Sequence, residues 1–314
     1  CALPIWTLLS DYAIAWVVVA LFVFLTLTTP GFLTQQNLRN ILDQQSLVLI
    51  AASVATLTMI AGGFDVSQGA IFVAAPLVAL QVENATGSAL IALLAGCGFG
   101  LVAGIVNGVI VTWGRINSFI ATLATSFIVF GIGYIVSDGS ILRPLDTNAY
   151  ASLARTDILG ITSATWIAFL VVAAAWFVLA RTRLGRYIYA VGGNPEAARL
   201  TGVRVRWIVG GTFVLSAMAA AFAGTLRSSK SISATPSDDL SFVFSVIAAI
   251  VVGGTSIAGG EGTIWRTILG AFFIAFMVNG FNLHQVDPIY QRIVQGTVIL
   301  AAVGIDAWSR ARRA

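Results

Sequence analysis

The chain has 314 residues, of which 58% are hydrophobic and 10% charged, and its mean hydropathy is +0.93. Soluble domains carry roughly 25% charged residues, so this chain lacks the charge to coat a water-facing surface, which excludes a soluble enzyme, a nucleic-acid-binding domain and a disordered regulator. Two cysteines, Cys1 and Cys97, and one histidine, His284, exclude a disulfide framework and a zinc site built on several His or Cys ligands.

At roughly 20 residues per crossing, the apolar content suffices for about ten membrane helices. Apolar runs between breakers predict spans at 12–28, 38–60, 68–83, 89–112, 117–138, 164–181, 207–228, 240–259, 264–283 and 288–307. The runs are long and do not alternate, so they read as helices rather than barrel strands. The fold class is therefore all-α, a polytopic membrane protein forming one transmembrane domain over 1–314. The first run lacks a basic flank and a cleavage site, and reads as a permanent span.

Between the second and third spans, Gly62 and Gly63 close one helix, while Asp65 and Gln68 have the spacing of a capping box that opens the next. Asp65 is also the charge nearest to membrane depth, and an ionisable group there is a functional candidate. Two roles stay open for this break: helix capping at a gate, or direct contact with solute or a partner. Pro76 lies inside the third span, where it removes a backbone donor.

The fourth span carries Gly96, Gly100, Gly104 and Gly108. That spacing lays a bare ridge along one face, a device for close helix packing. On the fifth span Ser118, Thr122 and Thr125 share a helical face. They can line a polar solute path or bond to backbone and neighbouring helices. Near the end of the ninth span, Asn279, Asn282, His284 and Gln285 offer a further polar group that suits either a solute or an exposed turn.

Placing both termini in the cytosol puts 11 of the 17 basic residues inside and leaves Arg39, Arg143, Arg155, Arg227, Lys230 and Arg292 outside. The basic pI near 9.4 is then a topology signal. Residues 139–163 and the polar stretch 228–239 become the main external surfaces. Arg143, Arg155 and Lys230 lie there with Asp146, Asp157, Asp238 and Asp239, as charges for docking.

The cytosolic loop at about 182–206 stands out in a chain so poor in charge. Within it, Asn194 is a good N-cap, Pro195 suits the first helical position, Glu196 favours the positive end of the helix dipole, and Gly202 supplies a left-handed stop. Between them lie Ala197, Ala198, Arg199 and Leu200. A helix this short is about half the length needed for marginal stability alone. It is either held against something or is a capped turn.

These residues, from Arg181 through Gly193-Asn194-Pro195-Glu196-Ala197-Ala198-Arg199-Leu200-Thr201-Gly202, resemble the coupling segment of bacterial ABC permeases of the ribose/xylose/galactose importer family. Gly62-Gly63-Phe64-Asp65-Val66-Ser67-Gln68-Gly69 resembles a second family segment, although Gln68 replaces a small apolar residue common in relatives. Gly253-Gly254-Thr255-Ser256-Ile257-Ala258-Gly259-Gly260-Glu261-Gly262-Thr263 resembles a third. The resemblance implies docking of the short helix into a separate ATP-binding subunit, which carries ATP and Mg. It also implies pairing with a second permease copy or paralogue, and a periplasmic sugar-binding protein that delivers the solute. No G-x-x-x-x-G-K-[ST] sequence occurs in the chain, in keeping with a permease that is not itself an enzyme. The competing reading is an ion-coupled secondary transporter, a class that relies on intramembrane carboxylates or histidines. Apart from Asp65, the predicted spans are nearly bare of them.

Overall fold

A computed structural model describes residues 13–238 and 240–311. Cys1, Asp239, Arg312 and Arg313, used above, lie outside the described residues. The fold is all-helical. In chain order the helices are α1 (Ala13–Thr28), α2 (Gln35–Ile60), α3 (Gln68–Thr86), α4 (Ala89–Thr112), α5 (Ser118–Ser137) and α6 (Thr147–Arg155). There follow α7 (Ser163–Arg181), α8 (Arg183–Gly193), α9 (Pro195–Leu200), α10 (Val205–Ser231), α11 (Ser241–Val252), α12 (Ile264–Leu283) and α13 (Pro288–Ala311). A two-residue hairpin, Asp157–Ile158 against Ile161–Thr162, joins α6 to α7.

Seven of these helices are long and apolar enough to cross a membrane: α2, α3, α4, α5, α7, α10 and α12. Helices α1 and α11 are apolar but shorter. The predicted span at 240–259 is corrected: its helix stops at Val252, and residues 253–263 are irregular. Gly254, Gly259 and Gly260 there have φ of +85°, +90° and +79°. That is the left-handed region, where a helix cannot continue. Hydropathy alone counts such glycines as helix filler.

Helix α10 is the central post, packed on α2, α3 and α4. The glycine ridge of α4 explains the closest of these interfaces. A Cβ at Gly96 would lie 2.5 Å from Thr225 Oγ1, at Gly100 2.5 Å from the Ala221 Cβ, at Gly104 2.6 Å from Val214 Cα, and at Gly108 2.9 Å from Gly210 O. Each position holds glycine because α10 occupies the space a side chain needs, with small side chains at Thr225 and Ala221 and with backbone at Val214 and Gly210. Without a hydrophobic driving force between helices in lipid, close packing of this kind is what associates them. The core around α10 is accordingly rich in alanine, with Ala217, Ala220, Ala221 and Ala223 all buried.

At the end of the bundle remote from α9, Glu83 fixes the cap formed by α6. This buried carboxylate, in the last turn of α3, accepts hydrogen bonds from Leu145 N at 2.7 Å and Asp146 N at 3.0 Å. Asp146 in turn caps α6 by accepting from Ala149 N at 2.9 Å. Tyr150 seats α6 on α10 through its hydroxyl, 2.6 Å from Ser228 Oγ. Burial pushes the Tyr150 hydroxyl up to about 12, against the lowering effect of the Ser228 hydrogen bond. Lys230 pairs with Asp43 of α2 at 2.8 Å, so it is engaged inside the protein rather than displayed as a docking charge.

Candidate functional site

Three segments that lie far apart in sequence meet at the α9 end. Helix α9 is built as its residues dictate. Asn194 Oδ1 accepts from Ala197 N at 2.9 Å, Pro195 opens the helix, and Gly202 turns out of it at φ +88°. Glu196 and Arg199 form an exposed ion pair at 2.5 Å. The hydrogen bond and charge of Arg199 hold the Glu196 carboxyl below its ordinary range. Ala198 is buried against the protein, whereas Ala197 and Leu200 face outward, Leu200 with 78% of its surface exposed. The helix therefore presents a small outer face, apolar at Ala197 and Leu200 and charged at Glu196 and Arg199, on a preformed frame.

Helix α8 links that face to the breaks in the bundle. At its C-terminal end, next to α9, a side chain on Gly192 would collide with the carbonyl oxygen of Ile60 and with Gly260 N. Tyr189 donates its hydroxyl proton to Gly262 O at 2.6 Å, and burial raises that hydroxyl's pKa. Gly260 N donates to Ile60 O at 2.8 Å, and a Cβ on Gly259 would lie 2.9 Å from Gly62 Cα. The end of α2, the glycine segment after α11 and the end of α8 thus form one backbone-to-backbone junction.

Beyond the junction the chain turns back into the bundle. Gly62, at φ +83°, and the Gly63 N–H, bonded to Thr58 O at 2.9 Å, close α2 as expected. The capping box does not form, which corrects that expectation. Ser67 is the N-cap of α3, and the Gln68 side chain reaches Ser216 instead of back to Asp65.

Asp65 instead collects two chains of donors. Asn107 Nδ2 donates to Ser67 Oγ at 2.8 Å, and Ser67 Oγ donates to Asp65 Oδ1 at 2.5 Å. Gln68 Nε2 donates to Ser216 Oγ at 2.7 Å, and Ser216 Oγ donates to Asp65 Oδ2 at 2.6 Å. Ser67 N adds a bond to Asp65 Oδ1 at 3.0 Å. All five residues are buried, so a carboxylate serves as the terminal acceptor of a network joining the break to α4 and α10. The amide oxygens of Gln68 and Asn107 are buried without a hydrogen-bond partner among the described residues, so the network is saturated at the carboxylate and open at its two amide ends.

The polar stripe of α5 meets the same break. Ser118 Oγ accepts from Phe64 N at 3.0 Å and Thr122 Oγ1 from Val66 N at 3.0 Å. Thr125 is buried and donates to Thr122 O at 3.1 Å. The Ser118 and Thr122 hydroxyls satisfy backbone that has left its helix, which membrane-depth backbone requires, whereas that of Thr125 bonds within α5. Asn279 is not brought to them. It exchanges two amide hydrogen bonds with Asn37 of α2, at 2.8 and 2.9 Å. His284 reaches Thr29 at 3.1 Å.

The family model described as "Branched-chain amino acid transport system / permease component" matches residues 37–303. The ribose import permease protein RbsC of Escherichia coli K12 is 38% identical over 296 residues, covering 92% of each chain. The chain belongs to this permease family. The L-arabinose ABC transporter permease protein AraH of Azospirillum brasilense is 32% identical over 309 residues, covering 98% of this chain and 91% of its own. The D-allose transport system permease protein AlsC of Escherichia coli K12 is 31% identical over 302 residues, covering 96% and 92%. No solved structure matches. In the permease, the matched region takes in α9, the junction and the Asp65 network together.

Proposed function

We infer that the permease is the membrane subunit of an ATP-driven importer of the bacterial inner membrane, and that its solute is a sugar delivered by a periplasmic binding protein. It works as a pair, with a second copy or a paralogue, on two ATP-binding subunits that hold ATP and Mg. Both termini and the α9 end are cytosolic, and the α6 end faces the periplasm; about ten segments traverse the membrane once α1, α11 and α13 are counted.

The observation that carries this reading is the route from α9 to the breaks. Closure of the ATP-binding subunits moves α9 through its exposed face at Ala197 and Leu200. Helix α8 conveys the motion, because Gly192 touches the Ile60 carbonyl and Tyr189 holds Gly262. The ends of α2 and of the α11–α12 segment then move together, and with them the Asp65 network that shuts the path between α3, α4 and α10. A sugar as solute is supported by the names of the similar permeases, which are ribose, arabinose and allose proteins.

The test is co-purification. The permease should be isolated with an ATP-hydrolysing subunit, and ATP turnover should rise severalfold when a sugar-loaded binding protein is added. A permease that binds no ATPase would overturn the reading.

A further inference from the structure

After α10 the chain re-enters the bundle, and the re-entry encloses a cavity. Gln68, the first residue of α3, bonds to Ser216 of α10. Ser216 is 15 residues before the end of α10, or about 22 Å along its axis at 1.5 Å per residue. Yet Leu240 and Val243 pack beside Gly69, at 3.4 and 3.2 Å from where its Cβ would be, and Phe242 stacks on Phe72 with centroids 3.5 Å apart. Leu240 therefore lies roughly 20 Å back along α3 from the end of α10, a distance that nine residues of extended chain, at up to about 3.3 Å each, can span. The polar stretch expected on the outer surface is in part non-helical chain at bundle depth. Thr235, Pro236 and Ser237 make no backbone–backbone hydrogen bond among the described residues. Non-helical backbone at membrane depth persists only where protein buries it or where it lines a watery cavity, and discontinuous helices of this kind mark solute sites in transporters.

The cavity is there, with a volume of about 240 Å³, between α3, the last turns of α10 and residues 233–237. Phe72, backed by the stacked ring of Phe242, lines it, and Arg227 holds its guanidinium 5.3 Å above the Phe72 ring. Ser231, Ser233 and Thr235 supply hydroxyls along its wall. Arg227 has no carboxylate partner among the described residues. Drug-sized ligands occupy roughly 300–1,000 Å³, so this space suits a smaller one.

We propose that this cavity holds the solute on its way through, and that it is built for a neutral monosaccharide. The proposal rests on the importer reading above. Arg227 donates in parallel to adjacent ring hydroxyls, the serine and threonine hydroxyls and free backbone groups bond the rest, and the stacked phenylalanines seal the cavity against the cytosol. Motion at the junction is felt here because α11, which carries Phe242, leads directly into the segment held by Ile60 and Gly192.

The experiment uses the importer reconstituted with its ATP-binding subunit, with Cys1 and Cys97 replaced by alanine. Thr235→Cys should react with a membrane-impermeant thiol reagent from the binding-protein side. Binding protein loaded with ribose, arabinose, galactose or allose, the probes, should slow that reaction at least threefold relative to unloaded protein for the sugar that is transported. Arg227→Gln should lower kcat/KM for uptake about tenfold, as expected for loss of charge-assisted hydrogen bonds, and should change the relative rates among the four sugars. The proposal is overturned if Thr235→Cys does not react, or reacts equally with and without sugar. It is also overturned if Arg227→Gln transports with unchanged rate and preference. Should Arg227→Gln fail to assemble, the labelling result alone decides. Failure of the parent reading is separate, since wild-type uptake would then proceed without ATP.

Discussion

The amide nitrogen of Gly260 donates a 2.8 Å hydrogen bond to the carbonyl oxygen of Ile60, joining the end of α2 to the irregular segment after α11, 200 residues away in sequence. Gly192, at the end of α8, is pressed against that same carbonyl. The meeting point lets a displacement of α9 reach both breaks through backbone alone, without a flexible side chain between them.

Gly192→Ala should therefore damage the permease severely, because its Cβ would strike the Ile60 carbonyl and Gly260 N together. The expected result is loss of uptake with a lowered melting temperature in detergent. Gly98→Ala, on α4, is the control: nothing lies within 4 Å of its Cβ position, so uptake and melting temperature should stay at wild-type values.

Ala197→Arg should abolish ATP-driven uptake while leaving membrane insertion and the melting temperature of the isolated permease unchanged, since Ala197 is exposed. Ala198→Arg is a poorer probe. Its side chain points into the protein, so that variant should lose stability as well. Size-exclusion chromatography with the ATP-binding subunit separates the two effects.

Asn194→Ala removes the side chain that caps α9 and should cost roughly 1 kcal/mol of helix stability. Hydrogen–deuterium exchange over residues 195–202 should accelerate about fivefold, with no change at α6. The Glu196–Arg199 pair contributes in the same helix. Because the Glu196 carboxyl is held low, its contribution is complete above the ordinary carboxylate range and is lost only as acid protonates it. The protection that the pair gives α9 should accordingly stay constant between pH 6 and 8.

Glu83→Gln replaces one carboxylate oxygen with a donor that faces the Leu145 or Asp146 amide. Losing a buried charge-assisted hydrogen bond costs about 1.5–3 kcal/mol. The α6 cap should loosen, with faster amide exchange over residues 145–155 and little change at the α9 end.

How much of this was legible in the sequence depends on the range of the interaction. The caps of α9 and the ridge of α4 are local patterns, read from neighbours one to four residues apart, and both appear as expected. The end of α11 was hidden because a glycine-rich apolar run scores as membrane helix, although its positive φ angles break the helix. The polarity of residues 228–239 predicts a surface segment, but polarity does not report depth, which is set by the packing of Leu240 and Val243 on Gly69. The capping box at Asp65 and Gln68 lost to Ser216, a partner some 150 residues away. Glu83 and the Asp43–Lys230 pair were missed for the same reason: their partners are assembled only by the fold.

Uptake of a radiolabelled sugar into proteoliposomes tests the central claim most directly. The vesicles would contain the permease with its ATP-binding subunit, with loaded binding protein outside and either ATP or an ion gradient as the energy source. Uptake should require ATP in the lumen, persist when protonophore and sodium ionophore collapse all gradients, and disappear in Ala197→Arg. Uptake driven by a proton or sodium gradient in the absence of ATP would contradict the account.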